Sequence, residues 1–284
     1  MQRVYPLLFV FLWSTGFIGA KYGLPYAAPL SFLLTRYGLV IALMTVIALA
    51  TRAPWPKSPR QWLHIGVSGL LVHAVYLGGV FVAIAHGLPA GVTALVVGMQ
   101  PLLTALGAGW LLDEKVSARQ WGGLALGFVG VGLVVSGKFG DAALGPMLIP
   151  ALVALLGITA GTLYQKRFCA SFDLRTGSVI QFVPTALLTA VAVALVEGYQ
   201  VAWTGDFIFA LGWLVLVLSI GAISLLNLLI RNGSAVNVAS LFYLTPLSTA
   251  LIAGLVFGEK LTSTATVGMA LAVGGVYLVA RPAK

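Results

Sequence analysis

Long apolar runs alternate with short polar joints along the whole chain. The runs fall at roughly 4–21, 31–51, 62–84, 91–112, 119–137, 145–165, 177–196, 208–230, 236–257 and 264–281. Each is close to the ~20 residues that an α-helix needs to cross the hydrocarbon of a bilayer. None shows the period-two alternation of a barrel strand. An isolated strand in lipid would leave its backbone N–H and C=O groups unpaired, at several kcal/mol each. The pattern therefore predicts an all-α membrane protein of ten transmembrane helices. The joints carry the expected breakers, Ala53-Pro54-Trp55-Pro56 after the second run and Gly140-Asp141 after the fifth.

Composition supports this reading. Hydrophobic residues make up 60 % of the 284, charged residues only 8 %, and the mean hydropathy is +1.04. A water-soluble surface needs about 25 % charged residues, so lipid is the expected solvent. The single Cys169 excludes an internal disulfide framework and a cysteine-rich metal site. The net charge of +9 sits in the joints, which points to topology rather than to nucleic acid. With the N-terminus in the cytoplasm, twelve Lys and Arg residues fall on that side and four (Lys21, Arg36, Lys138, Lys260) on the other. Positive residues favour the cytoplasmic side, so both termini are expected there. The start, Met1-Gln2-Arg3 before an apolar run, reads as a retained first span rather than a cleaved leader.

The chain also repeats itself at a displacement of 145 residues. VVGMQPLLTALGAGWLLDEKVS (96–117) aligns without gaps to LFYLTPLSTALIAGLVFGEKLT (241–262), with nine of 22 positions identical, Pro101/Pro246, Gly109/Gly254, Glu114/Glu259 and Lys115/Lys260 among them. The expected halves are 1–140 and 141–284, five spans each. An odd number of spans makes the second half enter the bilayer from the opposite side. Such inverted repeats underlie alternating access, in which the two halves exchange conformations around a central site.

Polar groups deep in a span are costly and tend to face a cavity. On that argument the candidate substrate-binding residues are Trp13, Ser14, His73, Tyr76, Met99, Gln100, Thr159, Tyr164, Asn227 and Tyr243. Trp13 lies too deep for the interfacial aromatic belt, where Trp55, Trp62 and Trp203 fit. His73 is either a helix–helix hydrogen-bonding group or a titrating contact. Pro101 and Pro246, each after a polar residue in mid-span, are candidate hinges or packing kinks. Gly123, Gly127, Gly130 and Gly132 in one run, with Gly268, Gly274 and Gly275 in another, read as close helix packing. Lys21 and Arg36, near the outer ends of their spans, either attract an anion or snorkel to the interface. No Asp or Glu lies at the centre of a run, so carboxylate-driven ion coupling has no evident seat. No phosphate-binding loop, HExxH sequence or nucleophile elbow is present. No metal site and no cofactor are expected, and the chain reads as a non-enzyme.

The sequence resembles the EamA family of the drug/metabolite transporter superfamily. The resemblance is carried by the proline in the fourth span of each half, by Asp113-Glu114-Lys115 and Gly258-Glu259-Lys260, by the opening FVFLWSTGFIGAKYGL (9–24), and by Arg36 within LLTRYGL. It departs at Gln181, which stands where a second Arg36 would fall. The resemblance implies an exporter of small metabolites, similar to bacterial exporters of aromatic and other neutral amino acids. Expected partners are a small-molecule substrate and the bilayer of the bacterial inner membrane, with the chain a monomer or homodimer and no nucleic acid bound. The alternatives are a lipophilic-cation or multidrug exporter, an intramembrane enzyme and a passive channel.

Overall fold

The computed structural model describes residues 4–88, 93, 96–136, 146, 148–169, 171–257 and 262–280. Its elements are helices: α1 (Tyr5–Gly23), α2 (Pro29–Ala50), α3 (Pro59–Ala85), α4 (Gln100–Leu111), α5 (Ala118–Ser136), α6 (Leu148–Phe168), α7 (Leu174–Glu197), α8 (Gly205–Asn232), α9 (Ala235–Ser240), α10 (Leu244–Phe257) and α11 (Ser263–Ala280). The one β-bridge among the described residues pairs Ala27 with Val201.

Seven of these helices are long and apolar enough to cross a bilayer: α1, α2, α3, α6, α7, α8 and α11. The other three expected spans differ for separate reasons. The run at 91–112 yields α4 only from Gln100, and part of what precedes it lies outside the described residues. The run at 119–137 forms α5 over 19 residues, and the described residues stop at its end. The run at 236–257 is broken into α9, a 3₁₀ turn at Leu241–Tyr243 and α10. Large apolar side chains such as Leu49, Leu187, Leu195 and Phe209 are exposed around the outside. An apolar exterior of this extent belongs against acyl chains, and the protein is a multi-pass membrane protein.

Proline sets several helix starts. Pro6, Pro29, Pro59 and Pro101 fall in the first turn of α1, α2, α3 and α4, where a missing N–H costs nothing. Pro101 and Pro246 thus stand in the opening turns of α4 and α10, directly after a break, rather than bending a continuous helix. The middles of α3 (Leu70–Leu77) and α8 (Leu214–Ala222) are π-helical. Such widened turns re-aim side chains and recur at functional sites.

The two sets of helices keep the same order. Shifted by 145 residues, α1, α2, α3, α4 and α5 fall on α6, α7, α8, α10 and α11 to within a few residues at each end. The π-helical middles of α3 and α8 coincide under the same shift.

The core has two main parts. One, on α1, α2, α3, α7 and α8, is rich in aromatics: Phe9, Trp13, Phe32, Tyr37, Tyr76, Phe182 and Phe207. The other joins α4, α5, α10 and α11 around Ala108, Leu124, Tyr243 and Ala272. There α5 and α11 meet backbone to backbone. A Cβ on Gly123 would stand 2.7 Å from the Gly275 carbonyl oxygen, and one on Gly130 2.6 Å from that of Gly268. Gly127 packs on the Tyr243 ring and on Gly275. Gly132 and Gly274 are not in this contact: nothing lies within 4 Å of a Cβ at Gly132, and only Leu126 near one at Gly274.

Candidate functional site

A four-ring aromatic assembly is centred on Trp13. Its ring stacks on Tyr76 (centroids 6.2 Å, planes 9° apart) and meets Phe242 edge-on at 5.3 Å, with Phe9 at 5.1 Å. Helices α1 and α3, together with the turn before α10, bring these rings together. Trp13 and Tyr76 together line two chambers among the described residues. The larger, about 40 Å³, lies between α1, α2, α3 and α8 and is lined by Gly16, Arg36, Phe81 and Leu218 as well as by the pair. The smaller, about 10 Å³, lies against Val97, Gly98, Phe242 and Thr245, the break segments before α4 and α10. The larger has room for a few waters, so a bound solute requires the helices to part.

Arg36 is the one charged residue of the larger chamber. It is the eighth residue of α2 and 3 % exposed, a full two turns inside the helix, so it does not snorkel. Its Nε–H donates to Ser219 Oγ at 2.8 Å, from the π-helical part of α8. None of the described carboxylates pairs with it; the one ion pair among the described residues is Asp173–Arg175. The side chain of Lys21, its sequence-level companion, lies outside the described side chains.

The other expected site residues are dispersed. Ser14 is fully buried and donates to the Val10 and Thr245 carbonyls at 2.6 and 3.2 Å, tying α1 to α10 behind Trp13. Met99 caps α4, and beside it Gln100 donates weakly to Thr162 Oγ1 at 3.4 Å, its own oxygen unpartnered. Thr159 bonds back to the Leu155 carbonyl within α6. Tyr164 meets His64 Nδ1 at 2.7 Å through its hydroxyl, toward the end of α6 and away from both chambers. Tyr243 is buried against Gly127 in the second core, its hydroxyl unpartnered. His73 is fully buried, stacked on Phe182 at 4.1 Å, and neither ring nitrogen makes a well-formed hydrogen bond, although the Gln181 amide is its polar neighbour. Its own carbonyl accepts from Tyr37 Oη at 2.8 Å. His73 lines neither chamber.

Asn227 belongs to a closed ring of amides that the sequence does not announce. Gln165 donates to Asn227 Oδ1 at 2.9 Å, Asn227 to Gln181 Oε1 at 3.3 Å, and Gln181 to Gln165 Oε1 at 3.5 Å and to Ser68 Oγ at 3.1 Å. Each member donates to the next and accepts from the last, so no amide nitrogen or oxygen of the ring is left without a partner. The ring pins α6, α7 and α8 together.

Charged ends fasten the link between α8 and α9. Lys166 Nζ donates to the carbonyls of Ile230 and Gly233 at 3.0 and 2.6 Å, at the negative end of α8. Glu114 accepts from the Ala235 N–H at 3.0 Å, at the start of α9. It reaches there because Asp113 turns the chain with φ +55° after α4. The corresponding Gly258-Glu259-Lys260, like Lys138, Gly140 and Asp141, lies outside the described residues.

Several cavity residues had no sequence signal. Phe81 and Leu218 are ordinary apolar residues in apolar runs, and Ser219 is one small hydroxyl among many. Among the described residues no group of His, Cys, Asp and Glu could hold a metal ion.

Comparison with known proteins bears on this arrangement. A Salmonella typhimurium protein named as a probable amino-acid metabolite efflux pump is 28 % identical over 96 % of this chain and 92 % of its own length. A Bacillus subtilis protein named as an uncharacterized transporter, YvbV, is 27 % identical over 97 % of this chain and 90 % of its own. A solved crystal structure superposes with a TM-score of 0.79 at 22 % identity, covering 98 % of this chain and 95 % of that one, and so shares the fold. These names indicate a transporter rather than an enzyme. The model of the EamA-like transporter family matches twice, over residues 4–136 and 145–281, and the chain belongs to that family.

Proposed function

We propose that this protein is a secondary transporter of the bacterial inner membrane that exports small metabolites, neutral and aromatic amino acids foremost, by alternating access and without ATP hydrolysis. The observation that carries this reading is the aromatic chamber at the meeting of α1, α2 and α3 with α8. A site enclosed by helices from both repeats opens to one side or the other as those repeats rock. The repeats are read as two inverted five-helix halves, 1–140 and 141–284, with both termini in the cytoplasm. Stacked rings offer an apolar body a surface, and a few polar groups fix its orientation. The relative named for amino-acid metabolite efflux supports the substrate class. The unit is a monomer or homodimer in the bilayer, with a small solute as its partner.

The test is counterflow. Liposomes holding purified protein are preloaded with one neutral amino acid and challenged with a labelled panel at symmetric pH and salt. Saturable exchange of aromatic or branched amino acids is the expected result. No exchange across the panel would remove the amino-acid reading. A lipophilic-cation exporter is the weaker alternative, because the one charge in the chamber is the Arg36 guanidinium.

A further inference from the structure

Arg36 presents an unusual electrostatic situation. A guanidinium buried from water loses several kcal/mol of hydration unless an anion and good hydrogen bonds replace it. Here one of its five N–H donors is used, toward the neutral Ser219 hydroxyl, and no described carboxylate approaches. The remaining donors belong to a residue that lines the chamber, and none of its nitrogens is among the buried polar atoms left without a partner. The guanidinium is therefore buried among the helices but open to the cavity. A planar fork of donors in such a place matches a carboxylate, which it binds through two parallel hydrogen bonds.

The opposite end of an amino acid has no such counterpart. No acidic residue lines either chamber. An ammonium group there would be repelled by Arg36 and would find only the faces of Trp13 and Tyr76, a weaker attraction. The chamber thus offers a charged receptor for the anionic end, rings for the body, and no charged receptor for an amine.

We infer that Arg36 receives the carboxylate of the transported solute, and that the chamber selects small monoanionic carboxylates with an apolar or aromatic body, 2-oxo and 2-hydroxy acids as readily as amino acids. The inference rests on the reading of this chamber as the transport site. It narrows the substrate class to one feature, the carboxylate, and makes the α-amino group dispensable.

Three probes with one phenyl body separate the possibilities: L-phenylalanine, phenylpyruvate and phenethylamine, in counterflow with the intact protein. The expected order places phenylpyruvate at or above phenylalanine, and phenethylamine roughly ten- to hundredfold below both, the range for loss of a hydrogen bond to a charged group. Arg36→Gln is expected to erase the advantage of the carboxylates over the amine, and Arg36→Lys to restore part of it. Should the glutamine variant not fold, the wild-type ranking together with the lysine variant decides. Thermal melting adds a second readout: phenylpyruvate raises the melting temperature of the wild type, and sodium chloride at the same concentration does not. Equal transport of amine and carboxylates overturns the inference, as does equal stabilisation by chloride. Transport of phenylalanine and phenethylamine alike would sink the role of Arg36 and leave amino-acid export standing. Transport of phenylpyruvate without phenylalanine would do the reverse. Transport of none of the three would sink both.

Discussion

Arg36 and Gln181 stand at the same place in the repeat, each the eighth residue of its helix, in α2 and α7. Both are buried, both are polar, and their surroundings differ completely. Around Gln181, the amides of Gln165 and Asn227 close a ring with it, and Ser68 takes its spare donor. Close packing seals the spot further: a Cβ on Gly69 would overlap the Gln181 backbone. Around Arg36 there is a chamber, one hydroxyl and no counter-charge. A self-satisfied polar cluster holds helices together. An unsatisfied one, facing a void, asks for a partner from outside. The repeat carries a closed fastening at one site and, at the matching site, a cation open to a cavity.

That contrast can be broken deliberately. The largest effect is expected from Gln181→Arg, which sets a cation in the closed ring with no void and no anion. It should cost several kcal/mol, seen as loss of the monodisperse peak on size exclusion in detergent; a well-folded variant would refute the closed ring. Asn227→Leu strands the Gln165 N–H and the Gln181 oxygen. A loss of about 2–4 kcal/mol follows from two unpartnered groups, read as a lowered melting temperature, while the ranking of transported solutes stays as in the wild type. Arg36→Gln should do the opposite: unchanged or higher melting temperature, because an unpaired buried charge is removed, but loss of carboxylate preference. A stability loss matching that of Asn227→Leu would make Arg36 another fastening. Smallest is Lys166→Met, which removes a cation from the end of α8 and should cost about 1 kcal/mol, measured by melting, with solute ranking intact.

How much of this could be read from the chain depended on the kind of information involved. Spans were legible because burial in lipid demands apolar length, but Pro101, read in the sequence as a mid-span hinge or kink, instead stands in the first turn of α4. The interruption of the 236–257 run was only half legible. Pro246 signals a break, but it falls just inside the new helix, after the 3₁₀ turn. The π-helical segments left no mark, since a widened turn in an apolar helix needs no special residue. Helix rotation was the chief blind spot. When a helix is apolar all round, period alone does not say which face looks inward. Thus Trp13, Tyr76 and Arg36 meet at the chamber, while Tyr164 and Tyr243 turn elsewhere, and Gly132 and Gly274 miss the seam that their neighbours form. The amide ring joins positions 165, 181 and 227 through folding alone.

The glycine seam has a mechanical consequence. Helices α5 and α11, in backbone contact at Gly123, Gly130, Gly268 and Gly275, have no side-chain cushion that could compress or repack. Two rods touching so closely can tilt against each other but cannot separate without opening a gap, so under the alternating-access reading the seam would act as a fulcrum. Small rotations about it grow with distance along the lever arm. The aromatic chamber belongs to the other core cluster, so under the alternating-access reading proposed above a tilt about the seam would be felt there as a change of width beside Trp13.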